Sequence, residues 1–190
     1  MQVQDAIVSR RSIRRFLPKE IAPGALEQLV QLGRLYASGG NRQPLRFAIL
    51  AEKEARQQLF ATLKWAMYLP EFEIRPEQQP TGYIILLRDS HVSKACGFDL
   101  GAAATTVMLA AREQGLDTCC LASFSAEKVR ALLGLSEELV PELVIALGYA
   151  DQESRAVDMA EDYRYFETPD GALNVPKLTI ENALIYSDIP

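Results

Sequence analysis

The chain of 190 residues has a formal net charge of -5 at pH 7, with 48% hydrophobic and 24% charged residues. That length suits one domain, 1-190, with a core of its own, and the composition excludes wholesale disorder and fibrous repeats. The acidic balance excludes a general nucleic-acid binder, no apolar run reaches bilayer-spanning length, and the N-terminal MQVQDAIVSRR lacks the apolar core of a signal peptide, so a cytoplasmic protein with no membrane partner is expected.

In chain order, the first expected helix covers residues 2 to 9 and delivers RRSIRRF, residues 10 to 16, at its C-terminal end, where cations are favoured. Leu17 and Pro18 break the pattern. A second helix starts at Ala22-Pro23, puts Leu26, Leu29, Val30 and Gly33 on one face, and stops near Ser38-Gly39-Gly40. LRFAILA (45 to 51) reads as a buried strand and Lys53 to Met67 as an amphipathic helix, followed by YLPEFEIRPEQQP (68 to 80), a long surface loop of the kind that forms lids and walls.

GYIILLR (82 to 88) is a second buried strand. FDLGAAATTVMLAAREQ (98 to 114) is a helix apolar on nearly every face, which implies burial on all sides. LDTCCLA (116 to 122) is a strand, SAEKVRALLG a helix between an N-cap at Ser125 and a stop at Gly134, and PELVIALGY (141 to 149) a fourth strand. Strands alternating with helices indicate a layered α/β or α+β domain. At residues 163 to 175, the turn Thr168-Pro169-Asp170-Gly171 between YRYF and ALNV predicts a hairpin or extended arm; 163-190 is read as a C-terminal arm.

Cys96, Cys119 and Cys120 are odd in number and two are adjacent, so they read as buried reduced thiols rather than a disulfide framework or a zinc site. His91 is the sole histidine and reads as a surface residue, which leaves at most one candidate for a triad or a histidine metal site. Two stretches carry possible chemistry. In RRSIRRF, four arginines surround Ser12 and are interleaved with Ile13 and Phe16; the cluster is either a solvated helix end or a set of guanidinium forks matched to a phosphate. In SGGNRQP (38 to 44), two glycines allow close backbone approach to a flat ligand, and Asn41 and Gln43 each offer a donor and an acceptor; a helix-stop loop accounts equally well for the glycines.

With DLGAAATTVMLAAREQGLDTCCLASF and LVIALGYADQESR, these motifs occur in the order that resembles the FMN-dependent nitroreductase family, from about residue 5 to residue 155. The resemblance implies an α+β (three-layer α/β/α) domain with a central sheet flanked by helices, and a homodimer with flavin at the subunit interface. It assigns the FMN phosphate and ribityl chain to Arg10, Arg11 and Ser12, and the pyrimidine edge to Arg14, leaving Arg15 facing water. Ser38, Asn41 and Gln43 approach the ring, commonly from the partner subunit; Ala122 and Ser123 offer backbone contacts beside it; Arg155 is a second phosphate-binding residue.

The resemblance further implies an NAD(P)H oxidoreductase, drawing on NADH or NADPH and reducing a nitroaromatic, quinone or similar small-molecule acceptor in ping-pong fashion, with no protein acid or base named. A related flavoenzyme that oxidises or modifies a specific metabolite, and a non-catalytic module that binds FMN or another phosphate ligand, are the alternatives. The chain departs from the family pattern at Ala37, where proline is usual, and at Leu45, where tryptophan is frequent. It also has no asparagine between Asn41 and Asn174, so the family's ring-facing asparagine is absent or replaced, with Trp65 or Tyr68 as the substitute.

Overall fold

The computed structural model describes residues 1–189. A four-stranded antiparallel sheet in the order β1-β2-β4-β3 forms its centre, built from β1 (Leu45–Leu50), β2 (Gly82–Asp89), β3 (Asp117–Leu121) and β4 (Leu139–Gly148). The register runs from Leu45 opposite Arg88 to Leu50 opposite Tyr83, and from Gly82 opposite Leu147 across to Thr118 on β3. β2 is an unbroken apolar run because it is buried on both faces. Alternate side chains serve different layers: Ile84 and Leu86 join one core, Tyr83, Ile85 and Leu87 the other.

The first core is covered by α2 (Ala25–Gly33) and α4 (Gly97–Glu113), the second by α3 (Lys53–Phe60) and α5 (Ala126–Leu133), giving the expected three-layer α+β arrangement. α1 (Val3–Ser9) packs against α4. α2 and α4 cross closely: a Cβ on Gly33 would lie 2.6 Å from Val107. α5 has its predicted caps, with the Ser125 hydroxyl accepting from Lys128 N and Gly134 in the left-handed conformation.

Four expectations need correction. α2 starts at Ala25, after Gly24 at φ 79, and ends at Gly33 rather than near residue 38, because the chain then turns to bury Tyr36, whose hydroxyl accepts from Leu45 N. α3 stops at Phe60, well short of Met67; Leu63 instead bridges Phe124, and Lys64 N donates to Ser123 O. α4 is not buried all round: Ala103, Ala104, Val107 and Ala111 form one inward stripe, while Phe98, Gly101 and Thr105 are exposed. In the tail, the predicted hairpin forms between β6 (Phe166–Glu167) and β7 (Leu173–Lys177), but an unpredicted strand, β5 (Ser154–Asp158), runs parallel to β7 and makes a second, three-stranded sheet. A short α6 (Ile180–Ala183) follows. Among the described residues, no helix is long and apolar enough to cross a membrane.

Candidate functional site

The arginine segment lies against the body along its whole length. Arg112 Nε donates to Ser9 Oγ at the end of α1, and the chain then runs extended beside β3, with Ser12 bridging Thr118 and Ile13 N donating to Thr118 O at 2.9 Å. Phe16 N donates to Gln78 O, and Leu17 N to Tyr149 O. Ile13 and Phe16 are buried, with Phe16 seated over Gly148, where a Cβ would lie 2.8 Å from its ring. Fixing these two apolar side chains inward leaves Arg10, Arg11, Ser12 and Arg14 half-buried on the outer side.

Arg14 is held in three ways. Its backbone N donates to Gln152 Oε1 at 3.1 Å, one guanidinium nitrogen donates to Ser12 O at 3.4 Å, and the guanidinium lies 4.5 Å from the centroid of Tyr165. Arg15 corrects the expectation that it faces water. It pairs with Glu167 at 2.8 Å, donates to Glu73 O, and lies over Phe72. Among the described residues, none of Arg10, Arg11 and Arg14 makes an ion pair, whereas eight other arginines do.

Burial, and then the charge of Arg10, pull the Arg11 guanidinium below its ordinary pKa, and an anion beside it would offset both effects. Burial pushes the Cys119 thiol up while Arg14 and Arg10 pull it down; Cys120 is pushed up to about 12 by burial and by Cys119, against Arg10. Both thiols are therefore protonated and inert at neutral pH. Thr118 Oγ1 and Gln152 Nε2 are buried polar atoms with no partner, each on a residue bonded to the arginine segment.

The SGGNRQP loop is built differently. Ser38 Oγ donates to Asp99 in the first turn of α4 and accepts from Gln43 N at 2.9 Å. The Gln43 amide donates to Asn41 Oδ1 at 2.9 Å. Gly40, Asn41 and Gln43 have φ of 58, 53 and 50, a left-handed conformation that costs a non-glycine residue about 1 kcal/mol or more and clusters at ligand sites. Asn41 and Gln43 are exposed.

Ala122 and Ser123 sit exposed at the end of β3, with Ser123 O accepting from Lys64 N. They directly follow the strand that carries Thr118, which bridges Ser12 of the arginine segment. Arg155 lies on β5, where Glu153 at 2.7 Å and Asp170 at 3.4 Å take up its guanidinium. Of the two candidates to replace the asparagine, Trp65 packs on Phe60, whereas Tyr68 lies 5.1 Å from the Tyr165 ring that covers Arg14.

One chain does not bring the two principal motifs together. The arginine segment is tied to Arg112 and the SGGNRQP loop to Asp99, opposite ends of α4 and about 20 Å apart at about 1.5 Å per residue. They also lie at opposite edges of the sheet. Gln152, Thr118 and Tyr165 were not identified as site residues from the sequence. Gln152 and Thr118 carry no local signal; Tyr165 stands in YRYF, legible only as a strand.

The profile of the nitroreductase family matches residues 7–79 and 93–149. The chain is similar to a protein of Archaeoglobus fulgidus provisionally named an NADH dehydrogenase/NAD(P)H nitroreductase, at 28% identity over 77% of this chain and 84% of the relative. It is also similar to the 4-nitrobenzoate reductase of Pseudomonas putida, at 26% identity over 85% and 94% of the two chains. Among solved structures, a provisionally named NADH dehydrogenase/NAD(P)H nitroreductase from Bacteroides thetaiotaomicron superposes with a TM-score of 0.69 at 26% identity, covering 84% of this chain and 92% of the other.

Proposed function

The chain belongs to the nitroreductase family, and from that premise we propose that it is an FMN-dependent NAD(P)H oxidoreductase acting on a nitroaromatic, quinone or similar acceptor by a ping-pong mechanism. The observation that carries the reading is the set of three half-buried arginines, Arg10, Arg11 and Arg14, without a carboxylate partner among the described residues in an acidic chain. The buried, unpaired Gln152 Nε2 beside them also fits a ligand rich in acceptors.

When bound, FMN supplies the two-electron chemistry, taking hydride from NADH or NADPH and passing it to the acceptor. The protein binds, orients and tunes. Arg10 and Arg11 donate charge-assisted hydrogen bonds to the phosphate, together with the Ser12 hydroxyl. Arg14 meets the negative charge that reduction places at the pyrimidine edge of the ring. Ala122 and Ser123 offer backbone groups beside it. Arg155, already engaged by two carboxylates, serves the C-terminal arm in this reading.

Ser38, Asn41 and Gln43 reach the ring from a second copy, because within one chain they are held at the opposite end of α4 from the arginine segment. The exposed Phe98, Gly101 and Thr105 of α4 offer that copy a face with small residues. A second reading keeps the flavin and changes the substrate to a specific metabolite: Tyr165 stands over Arg14 and Tyr68 packs against Tyr165, giving a wall unlike the asparagine of the family pattern.

Anaerobic titration of purified protein with NADH and NADPH tests these readings. A yellow protein that bleaches with either nucleotide and is reoxidised by a nitroaromatic or quinone supports the first. A yellow protein that stays oxidised supports the second. Colourless protein that takes up no FMN removes both and leaves a phosphate-ligand module.

A further inference from the structure

The guanidinium of Arg14 has two chemically different aspects, a flat face and an N–H-bearing edge. The face lies 4.5 Å from the Tyr165 ring centroid. The ring in turn is fixed: Tyr68 packs edge-on against it at 5.1 Å, and Tyr68 N donates to the Tyr165 hydroxyl at 3.4 Å. Tyr163 packs on Tyr68 from the far side at 6.0 Å. Two residues further along the chain, Glu167 pairs with Arg15, so the arm is anchored to the arginine segment at both positions. The backbone of Arg14 is independently held by Gln152.

Resting on the flavin reading above, we infer that Tyr165 is the positioning residue for Arg14: it covers the guanidinium face and so aims the edge N–H groups at the anionic side of the reduced cofactor. A cation stacked on an aromatic face keeps its charge and loses the freedom to swing into water. Without the ring, the long arginine side chain spreads over several rotamers and spends less time beside the developing charge. Oxidised flavin carries no such charge, so Tyr165 acts on the preference for the reduced over the oxidised state and much less on retention of FMN.

The test is the two-electron potential of FMN in the holoprotein, with bound-flavin stoichiometry measured alongside. Tyr165→Ala lowers the preference for reduced flavin about tenfold, a potential shift of about 30 mV, while Tyr165→Phe, which keeps the π face, remains at the wild-type potential. Tyr165→Leu keeps apolar bulk against Tyr68 without a π face, and shifts as the alanine variant does even if that variant folds poorly. In an Arg14→Ala background, Tyr165→Leu adds no further shift, because the effect passes through the arginine. A wild-type potential in Tyr165→Leu, or the same shift with Arg14 removed, overturns the positioning role and leaves the flavin reading intact. Wild-type protein that binds no FMN overturns the flavin reading itself.

Discussion

The arginine segment and the SGGNRQP loop were both legible as possible ligand-binding stretches, yet the fold treats them in opposite ways. Residues 10 to 17 donate backbone hydrogen bonds to β3, to Gln78 and to Tyr149, and bury Ile13 and Phe16. Residues 38 to 43 hold three left-handed residues, bond mostly within the loop, and meet α4 through one serine hydroxyl. The first is held by backbone hydrogen bonds and two buried apolar side chains. The second is an exposed loop with backbone strain at Asn41 and Gln43.

That contrast can be broken experimentally, beginning with the largest expected effect. If β3 stays packed against α4, where the Cys120 sulfur meets Met108, Cys120 remains a thiol. At a pKa of about 12 its thiolate fraction at pH 8 is about one in ten thousand, against about one in four for an ordinary cysteine. Its alkylation should therefore be about a thousandfold slower than that of free cysteine and should rise about tenfold per pH unit. Fast reaction at pH 8 would show that α4 is not packed over this end of the sheet.

Next, Phe16→Ala empties the seat over Gly148 and should cost about 3–5 kcal/mol in urea denaturation; a loss under 1 kcal/mol would mean that the segment is not anchored there. Arg10→Ala should weaken FMN about 10- to 100-fold, the loss of a charge-assisted bond, with the denaturation midpoint little changed. Ser38→Ala removes the tie to Asp99 and should cost about 1 kcal/mol, and it should also weaken FMN in the dimer if the loop completes the site. Smallest of all, Arg155→Ala should leave FMN affinity within about twofold, because its guanidinium is spent on exposed carboxylates.

Much of the fold was legible because buried strands announce themselves: β1, β2 and β4 are apolar runs bounded by turns. What could not be read was decided by contacts distant in sequence. α3 continues as a helical pattern past Phe60, but Leu63 is captured by Phe124, which follows β3 and lies in the same core. SRAVD gives no strand signal, since β5 is half exposed and exists only because β7 pairs with it. At the candidate site, charge density marked the arginine cluster, and only the family resemblance singled out Arg10, Arg11, Ser12 and Arg14 within it. Tyr165 was not, because its partner Arg14 lies far off in sequence, and Gln152 is an unremarkable amide until its bond to Arg14 N is seen.

α4 has a final consequence, for the lengths this chain can tolerate. It is tied to one motif through Asp99 and to the other through Arg112, with no break in the helix between them. Each residue inserted there would lengthen the gap by about 1.5 Å and turn one end by about 100° relative to the other. The helix thus works as a gauge that sets both separation and azimuth, and a single-residue insertion or deletion in α4 puts the two motifs out of phase with each other.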